Sequence, residues 1–311
     1  MKVAIVGAGI AGLSCAVRLQ QDRCTVTLFD KGRGAGGRMA TRRIDTLAGE
    51  VAFDHGAQYL TMRAPAFVAE MRAWESAGVV APWPAAGPDA WVGTPGMNAI
   101  VKHLAARTDV RWNYRVTDVR KTAAGWSVDP DATGALFDAV VIATPAEQAA
   151  PLLAPHDPAM ASEALGCRSA PCWTAMFGFD TPLAIPDDVL RDAGIIGWAA
   201  RNSAKPGRRA PESWVVQATP DWSRQHLEES VETVIDQLQA ALAAHSNAAL
   251  PTPIVRTGHR WRYARTAGLD LGSLWNASEQ IGAAGDWLLA PRIESAWLSG
   301  RHLAEQIMGR A

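Results

Sequence analysis

The spacing of apolar residues changes character three times along the chain. Lys2 to Val6 is a short unbroken apolar run, the pattern of a strand buried on both faces. Gly12 to Gln21 follows with helical spacing at Leu13, Ala16, Val17 and Gln20, and Cys24 to Phe29 is β-branched and apolar like a second strand. Pro65 to Gly78 predicts a helix with Phe67, Met71 and Trp74 on one face. Met97 to Arg107 predicts another, with Ile100, Val101 and Leu104 inward. Short strands are then expected at Val110 to Asn113, Val116 to Lys121, Trp126 to Val128 and Phe137 to Ala143. Gly125 and Gly134 punctuate them and Pro145 stops the last.

From 151 to 270 the pattern is alternating, with strands expected at Trp173 to Phe179, Ile195 to Ala199, Trp214 to Ala218 and Ile254 to Tyr263. One amphipathic helix, roughly Leu227 to Ala244, interrupts them with a stripe of Val231, Val234, Ile235, Leu238 and Leu242. Residues 280–311 return to the opening pattern, with an apolar strand, Gly285-Asp286, and a helix from about Ser295 to Met308. The expected fold is α/β. A Rossmann-type domain (1–60, 97–150 and 275–311) interleaves with a mixed α+β domain (61–96 and 151–274).

Composition adds limits. At 311 residues, 48% apolar and 20% charged, the chain can bury its core without staples. A formal net charge of −1 argues against non-specific binding to nucleic acid or anionic membranes. No run of 18 apolar residues is present, so no membrane span is expected. Met1 to Leu13 mimics a signal peptide. The rival reading, a buried strand entering a glycine turn, is preferred because it completes a larger pattern. Cys15, Cys24, Cys167 and Cys172 form no C-x-x-C pair. They read as reduced thiols of a cytoplasmic protein, with no metal site expected. Tryptophan is abundant, 13 residues against three Tyr, so packing against a flat ring is a plausible use beyond the core.

The chemistry begins at Gly7-Ala8-Gly9-Ile10-Ala11-Gly12, a G-x-G-x-x-G between the first strand and the first helix. The glycines permit a tight turn, close approach of a pyrophosphate, and close packing of helix on sheet, while the helix N-terminus offers free N–H groups. Asp30 ends the second strand, where a carboxylate accepts ribose hydroxyls. Lys31-Gly32-Arg33-Gly34-Ala35-Gly36-Gly37-Arg38-Met39-Ala40-Thr41 is a second glycine-rich loop carrying two arginines.

This pairing resembles the flavin amine oxidase superfamily. Three more segments carry the likeness: Phe53-Asp54-His55-Gly56-Ala57-Gln58-Tyr59, Val140-Val141-Ile142-Ala143-Thr144-Pro145, and Gly285-Asp286 followed by Glu294-Ser295-Ala296-Trp297-Leu298-Ser299-Gly300. The resemblance implies that the first runs past a flavin ring and the second ends near the adenosine half. In the third, Asp286 would meet the ribityl-phosphate side and the helix start the flavin pyrimidine. Val116 matches the position whose backbone meets adenine. Within the superfamily the chain is most similar to bacterial renalase-like proteins. That likeness rests on the 53–59 run, Pro95-Gly96-Met97-Asn98, residues 214–222 and Trp261-Arg262-Tyr263-Ala264.

The resemblance implies FAD, and no cysteine lies in 288–296 to link it covalently. It implies a 2- or 6-dihydro isomer of NAD(P)H as substrate, NAD(P)⁺ and hydrogen peroxide as products, and O₂ as acceptor. Many amine oxidases place a lysine beside the flavin. None of Lys2, Lys31, Lys102, Lys121 and Lys205 sits in a predicted strand of the substrate domain, so that lysine is expected to be absent. Substrate-side candidates are His55, Gln58, His259 with Trp261 and Tyr263, Trp287 and Arg292. The loop Arg201 to Arg209, with four cations, is a further candidate for a substrate pyrophosphate or else a solvated turn. The alternatives are an amine oxidase or desaturase of the same fold, and a non-catalytic escort protein.

Overall fold

The computed structural model describes residues 1–129, 134–208 and 211–309. Lys2–Val6 is the fourth strand of a six-stranded sheet, between Ala139–Ile142 and Thr25–Phe29. Asp109–Arg111 and Ile281–Ala283 extend it in parallel, and Leu274–Asn276 closes one edge antiparallel. The continuous apolar runs at 2–6 and 139–142 suit strands covered on both faces. Helices Ile10–Gln21 and Ile293–Ile307 lie against each other, and Leu13, Ala16, Leu19 and Leu303 share one core with Val3 and Ile5. Phe67, Met71 and Trp74 of the helix Pro65–Ser76 join that core.

A small antiparallel sheet (Val119–Thr122, Gly125–Val128 and Leu136–Phe137) flanks the large one. It corrects two expectations. The strand expected over 137–143 divides at Asp138: Leu136–Phe137 pairs within the small sheet and Ala139–Ile142 within the large one. The strand expected from Val116 starts only at Val119, because the Asp129 carboxylate accepts from the Thr117 and Asp118 N–H groups that a strand would have paired.

The second large sheet is antiparallel, in the order Val189–Ala193, Ile196–Arg201, Glu212–Ala218, Ala170–Phe179 and Val255–Arg265. Helix Val231–Ala243 covers one face through Val234, Ile235, Leu238 and Leu242, packed on Trp173, Phe177 and Trp214. This helix begins later than expected. Ser230 caps it, accepting the Thr233 N–H at 3.1 Å, and Val231 at the first turn is 38% exposed. Residues 220–225 form a separate short helix.

The opposite face of that sheet carries Met176, Val215, Val255 and Thr257 toward one end and Thr174, Gln217, Trp198, His259 and Trp261 toward the other. The hairpin Thr41–Thr46/Gly49–Asp54, which the apolar pattern did not predict, covers the first end with Val51 and Phe53. The second end faces residues 55–59. No helix among the described residues is long and apolar enough to cross a membrane.

Candidate active site

The turn at 7–12 has the form the motif requires. Gly7 sits at φ +106°, and a Cβ at Gly12 would lie 2.0 Å from the Gly7 carbonyl oxygen. A Cβ at Gly9 would meet nothing within 4 Å, so the open space lies at the glycine that a pyrophosphate must approach. Helix Ile10–Gln21 has no side-chain cap and no acid in its first turn, which leaves its N–H groups and positive dipole end for an anion. Beside the turn, the Thr144 hydroxyl is buried without a partner. These features fit a dinucleotide phosphate.

Other expected cofactor residues find protein partners. Asp30 accepts the Ala8 and Gly32 N–H groups, each at 2.7 Å, and so ties the turn to the second loop. Lys31 reaches Gln148, while Arg33 is exposed. Arg38 and Asp286, 248 residues apart, form a two-pronged ion pair at 2.8 and 2.7 Å. Met39 is buried core, whereas Thr41 donates to Asp54 at 2.7 Å. Gly36, Gly37 and Ala40 shape that loop. Val116 lies in a loop rather than a strand, and Ala143, Thr144 and Pro145 lead from the central sheet into the helix Ala146–Leu153.

The 53–59 segment is seated directly on the Arg38 loop. Ala57 N–H donates to the Arg38 carbonyl at 2.8 Å, and a Cβ at Gly56 would lie 2.1 Å from that oxygen, so only glycine fits. Asp54 is fully buried and gathers Lys205 at 3.3 Å, Arg208, Thr41 and the Met97 N–H. Burial alone would raise its carboxyl, but Lys205, Arg208 and the hydrogen bonds hold it down at about 2. Burial also lowers Lys205 to about 8, with Asp54 opposing the shift.

One expectation is corrected here. The 201–209 loop is not a solvated turn: Asn202, Lys205 and Arg208 point inward and brace Asp54 from behind, while Arg209 lies outside the described residues. Lys205 is buried next to the 54–58 segment, held by Asp54 and Gln58. It comes from the turn after strand 196–201 and not from a strand. Gln58 belongs to the same brace. Its amide donates to the Asp54 and Gly56 carbonyls and accepts from Lys205 at 3.1 Å, so it anchors the loop and has no free donor for a substrate. Trp287 is likewise buried core, its indole N–H on the Thr144 carbonyl at 3.2 Å.

The candidate substrate-side face is aromatic and basic. His55 stacks on Trp261 (centroids 5.3 Å, 27°) and meets His259 edge-on at 5.1 Å, and Trp261 donates to the His55 carbonyl at 2.8 Å. Burial first, then His259 and Arg42, push the His55 imidazole down to about 4; burial and Arg42 lower His259 as well. Tyr59 stacks on Trp198 (5.1 Å, 28°) under Arg191. Arg260 and Arg262 turn to Glu228 on the far side, and His259 and Trp261 share the near face, while the strand's register shifts between Trp261 and Arg265, the stretch that holds Tyr263. At the start of the last helix, Arg292 is the N-cap. Buried Glu294 accepts from the Arg63 and Ala64 N–H groups at 2.7 Å each, and Ser295 and Ala296 are buried in the first turn. Sequence reasoning missed Trp198 and Gln217, and it did not foresee that Lys205 and Arg208 of the 201–209 loop turn inward onto Asp54. The 202–208 turn carries no periodic signal that could show its inward face.

Residues 5–71 match the NAD(P)-binding Rossmann-like domain, and residues 85–308 match the flavin containing amine oxidoreductase family. Hydroxyneurosporene desaturase of Cereibacter sphaeroides is 45% identical over 62 residues, which is 20% of this chain and 12% of that protein. The match therefore spans about an eighth of the relative's length. Two solved structures share the fold. Cyclohexylamine oxidase from Brevibacterium oxydans IH-35A has a TM-score of 0.71 at 12% identity over 99% of this chain and 98% of that one. A structure described as a protoporphyrinogen oxidase from Exiguobacterium sp. 255-15 has a TM-score of 0.75 at 12% identity over 100% and 99%. FAD is the cofactor, and the open Gly9 cradle, the uncapped helix and the free Thr144 hydroxyl fit its pyrophosphate. A Rossmann turn, a second glycine loop and a returning C-terminal helix thus converge on one cofactor-binding core, and the chain belongs to the flavin-containing amine oxidoreductase family.

Proposed function

We propose that this oxidoreductase takes hydride from a small planar substrate, a 2- or 6-dihydro isomer of NAD(P)H, and gives NAD(P)⁺ and hydrogen peroxide. The observation that carries the reading is the state of the proton-handling groups. His55, at about 4, is a poor base near neutral pH; Lys205 is committed to Asp54 and Gln58, and Asp54 lies between two cations. A dihydronicotinamide makes no demand on such groups, because loss of hydride alone restores its aromatic ring. When bound, FAD supplies the two-electron acceptor, and O₂ takes the electrons onward as hydrogen peroxide. The chain's own residues bind and orient. The stacked pairs His55/Trp261 and Tyr59/Trp198 offer flat walls, and the last helix's N-terminus offers the positive end of its dipole. We assign 1–60, 97–150 and 275–311 to the FAD side and 151–274 to the substrate side. Four unpaired thiols suit a reducing cytoplasm.

The second reading is amine oxidation or desaturation, favoured by the cyclohexylamine oxidase fold and the desaturase-like stretch. Anaerobic mixing separates the two. Borohydride-treated NAD⁺, which contains the isomeric reduced forms, should bleach the flavin's visible absorbance rapidly, and cyclohexylamine should not. Rapid bleaching by the amine alone would replace the first reading with the second.

A further inference from the structure

We propose that Arg42, with His55 and His259, forms an anion-recognition subsite that admits substrates carrying a phosphate and turns away ammonium substrates. The inference rests on the dihydronicotinamide reading but can be tested apart from it. Arg42 leaves the hairpin strand Thr41–Thr46 and reaches the face of strand Val255–Arg265. Its guanidinium lies 3.5 Å from each of Thr257 Oγ1, the Gly258 carbonyl and His259 Nδ1, three contacts at the edge of hydrogen-bond range. No carboxylate among the described residues pairs with it, whereas the adjacent Arg43 has Glu50 at 3.5 Å. Next to this fork, His55 is 6% exposed and its Nδ1 has no partner.

The charges around the face point the same way. Arg191 lies over the Trp198 ring at its other end, with no carboxylate partner among the described residues. The three buried carboxylates of the site are engaged: Asp54 by Lys205 and Arg208, Asp286 by Arg38, and Glu294 by Arg292 and two backbone N–H groups. The unneutralised charge is therefore positive. An arginine fork beside two imidazoles is the donor set that phosphate oxygens take, and an alkylammonium group meets only repulsion there.

The test uses the FAD-loaded protein. Inorganic pyrophosphate is titrated calorimetrically into wild type, Arg42→Met and Arg42→Lys, and flavin reduction is compared for the dihydro isomers of nicotinamide mononucleotide and nicotinamide riboside. Arg42→Met should bind pyrophosphate at least about tenfold more weakly and Arg42→Lys should recover part of the loss. The Met variant should raise KM for the mononucleotide and leave KM for the riboside alone. Wild-type pyrophosphate affinity in an FAD-loaded Arg42→Met overturns the proposal. Loss of FAD from Arg42→Met also overturns it, by assigning the guanidinium to the cofactor. Failure of both nicotinamides to reduce the flavin would sink the parent reading instead, while the calorimetry still decides the subsite.

Discussion

On the parallel-sheet side, the features that meet a dinucleotide belong to the main chain: a turn at 7–12, the open space at Gly9 and the free N–H groups of helix Ile10–Gln21. On the antiparallel-sheet side, the candidate substrate face is made of side chains, Trp198, Gln217, His259 and Trp261, delivered by three different strands. A backbone site has to be written as glycines in one short stretch, because only missing side chains let the chain and a phosphate approach. A side-chain site is assembled by strand pairing and can be scattered. The two halves meet at one buried ion cluster, where Asp54 follows the hairpin and Lys205 and Arg208 follow strand 196–201.

That comparison can be broken in several ways. The largest effect should come from the junction. Asp54→Ala leaves two buried cations without their counter-charge and should cost about 3–5 kcal/mol in urea unfolding. A wild-type midpoint would mean that the halves are not joined there. On the backbone side, Gly12→Val drives a Cβ to 2.0 Å from the Gly7 oxygen. It should cost about 3 kcal/mol or more and leave the purified protein colourless. A yellow, wild-type-stable variant would refute the backbone account.

On the side-chain side, pH is the lever. The unfolded chain protonates His55 near its ordinary value of 6.5, and the folded chain only at about 4. Stability should therefore be lost as pH falls between those values, by about 3 kcal/mol for this group. Asp54, held down at about 2, acts in the same direction at lower pH. His55→Asn should flatten the upper part of that slope in a pH series of denaturation curves. A smaller effect is expected at the free hydroxyl: Thr144→Val should weaken FAD retention by a factor of about ten or less, read by dialysis and absorbance. The smallest is a control on the far face. Glu228→Gln breaks only exposed pairs with Arg260 and Arg262 and should leave flavin content and turnover unchanged.

Legibility followed the same division. The cofactor turn, the second loop and the Gly285-Asp286 return were readable because each is a local run whose residue types have one physical use. Alternation also placed His259 and Trp261 on one face of their strand. The 202–208 turn was not readable. Its cations look like those of any solvated loop, and nothing local shows that a buried carboxylate 151 residues away draws Lys205 inward. Gln58 and Trp287 were assigned by position along the chain, and position does not tell a wall from the brace behind it.

The sequence by itself determined the Rossmann order, the glycine turns and the family, since these depend on steric permission within a few residues. Tertiary structure alone decided which charges are neutralised and which are left over. Electrostatic balance is a property of groups brought within a few ångströms, and here those groups come from distant parts of the chain: Arg38 with Asp286, Lys205 with Asp54, and Arg42 with no acid among the described residues.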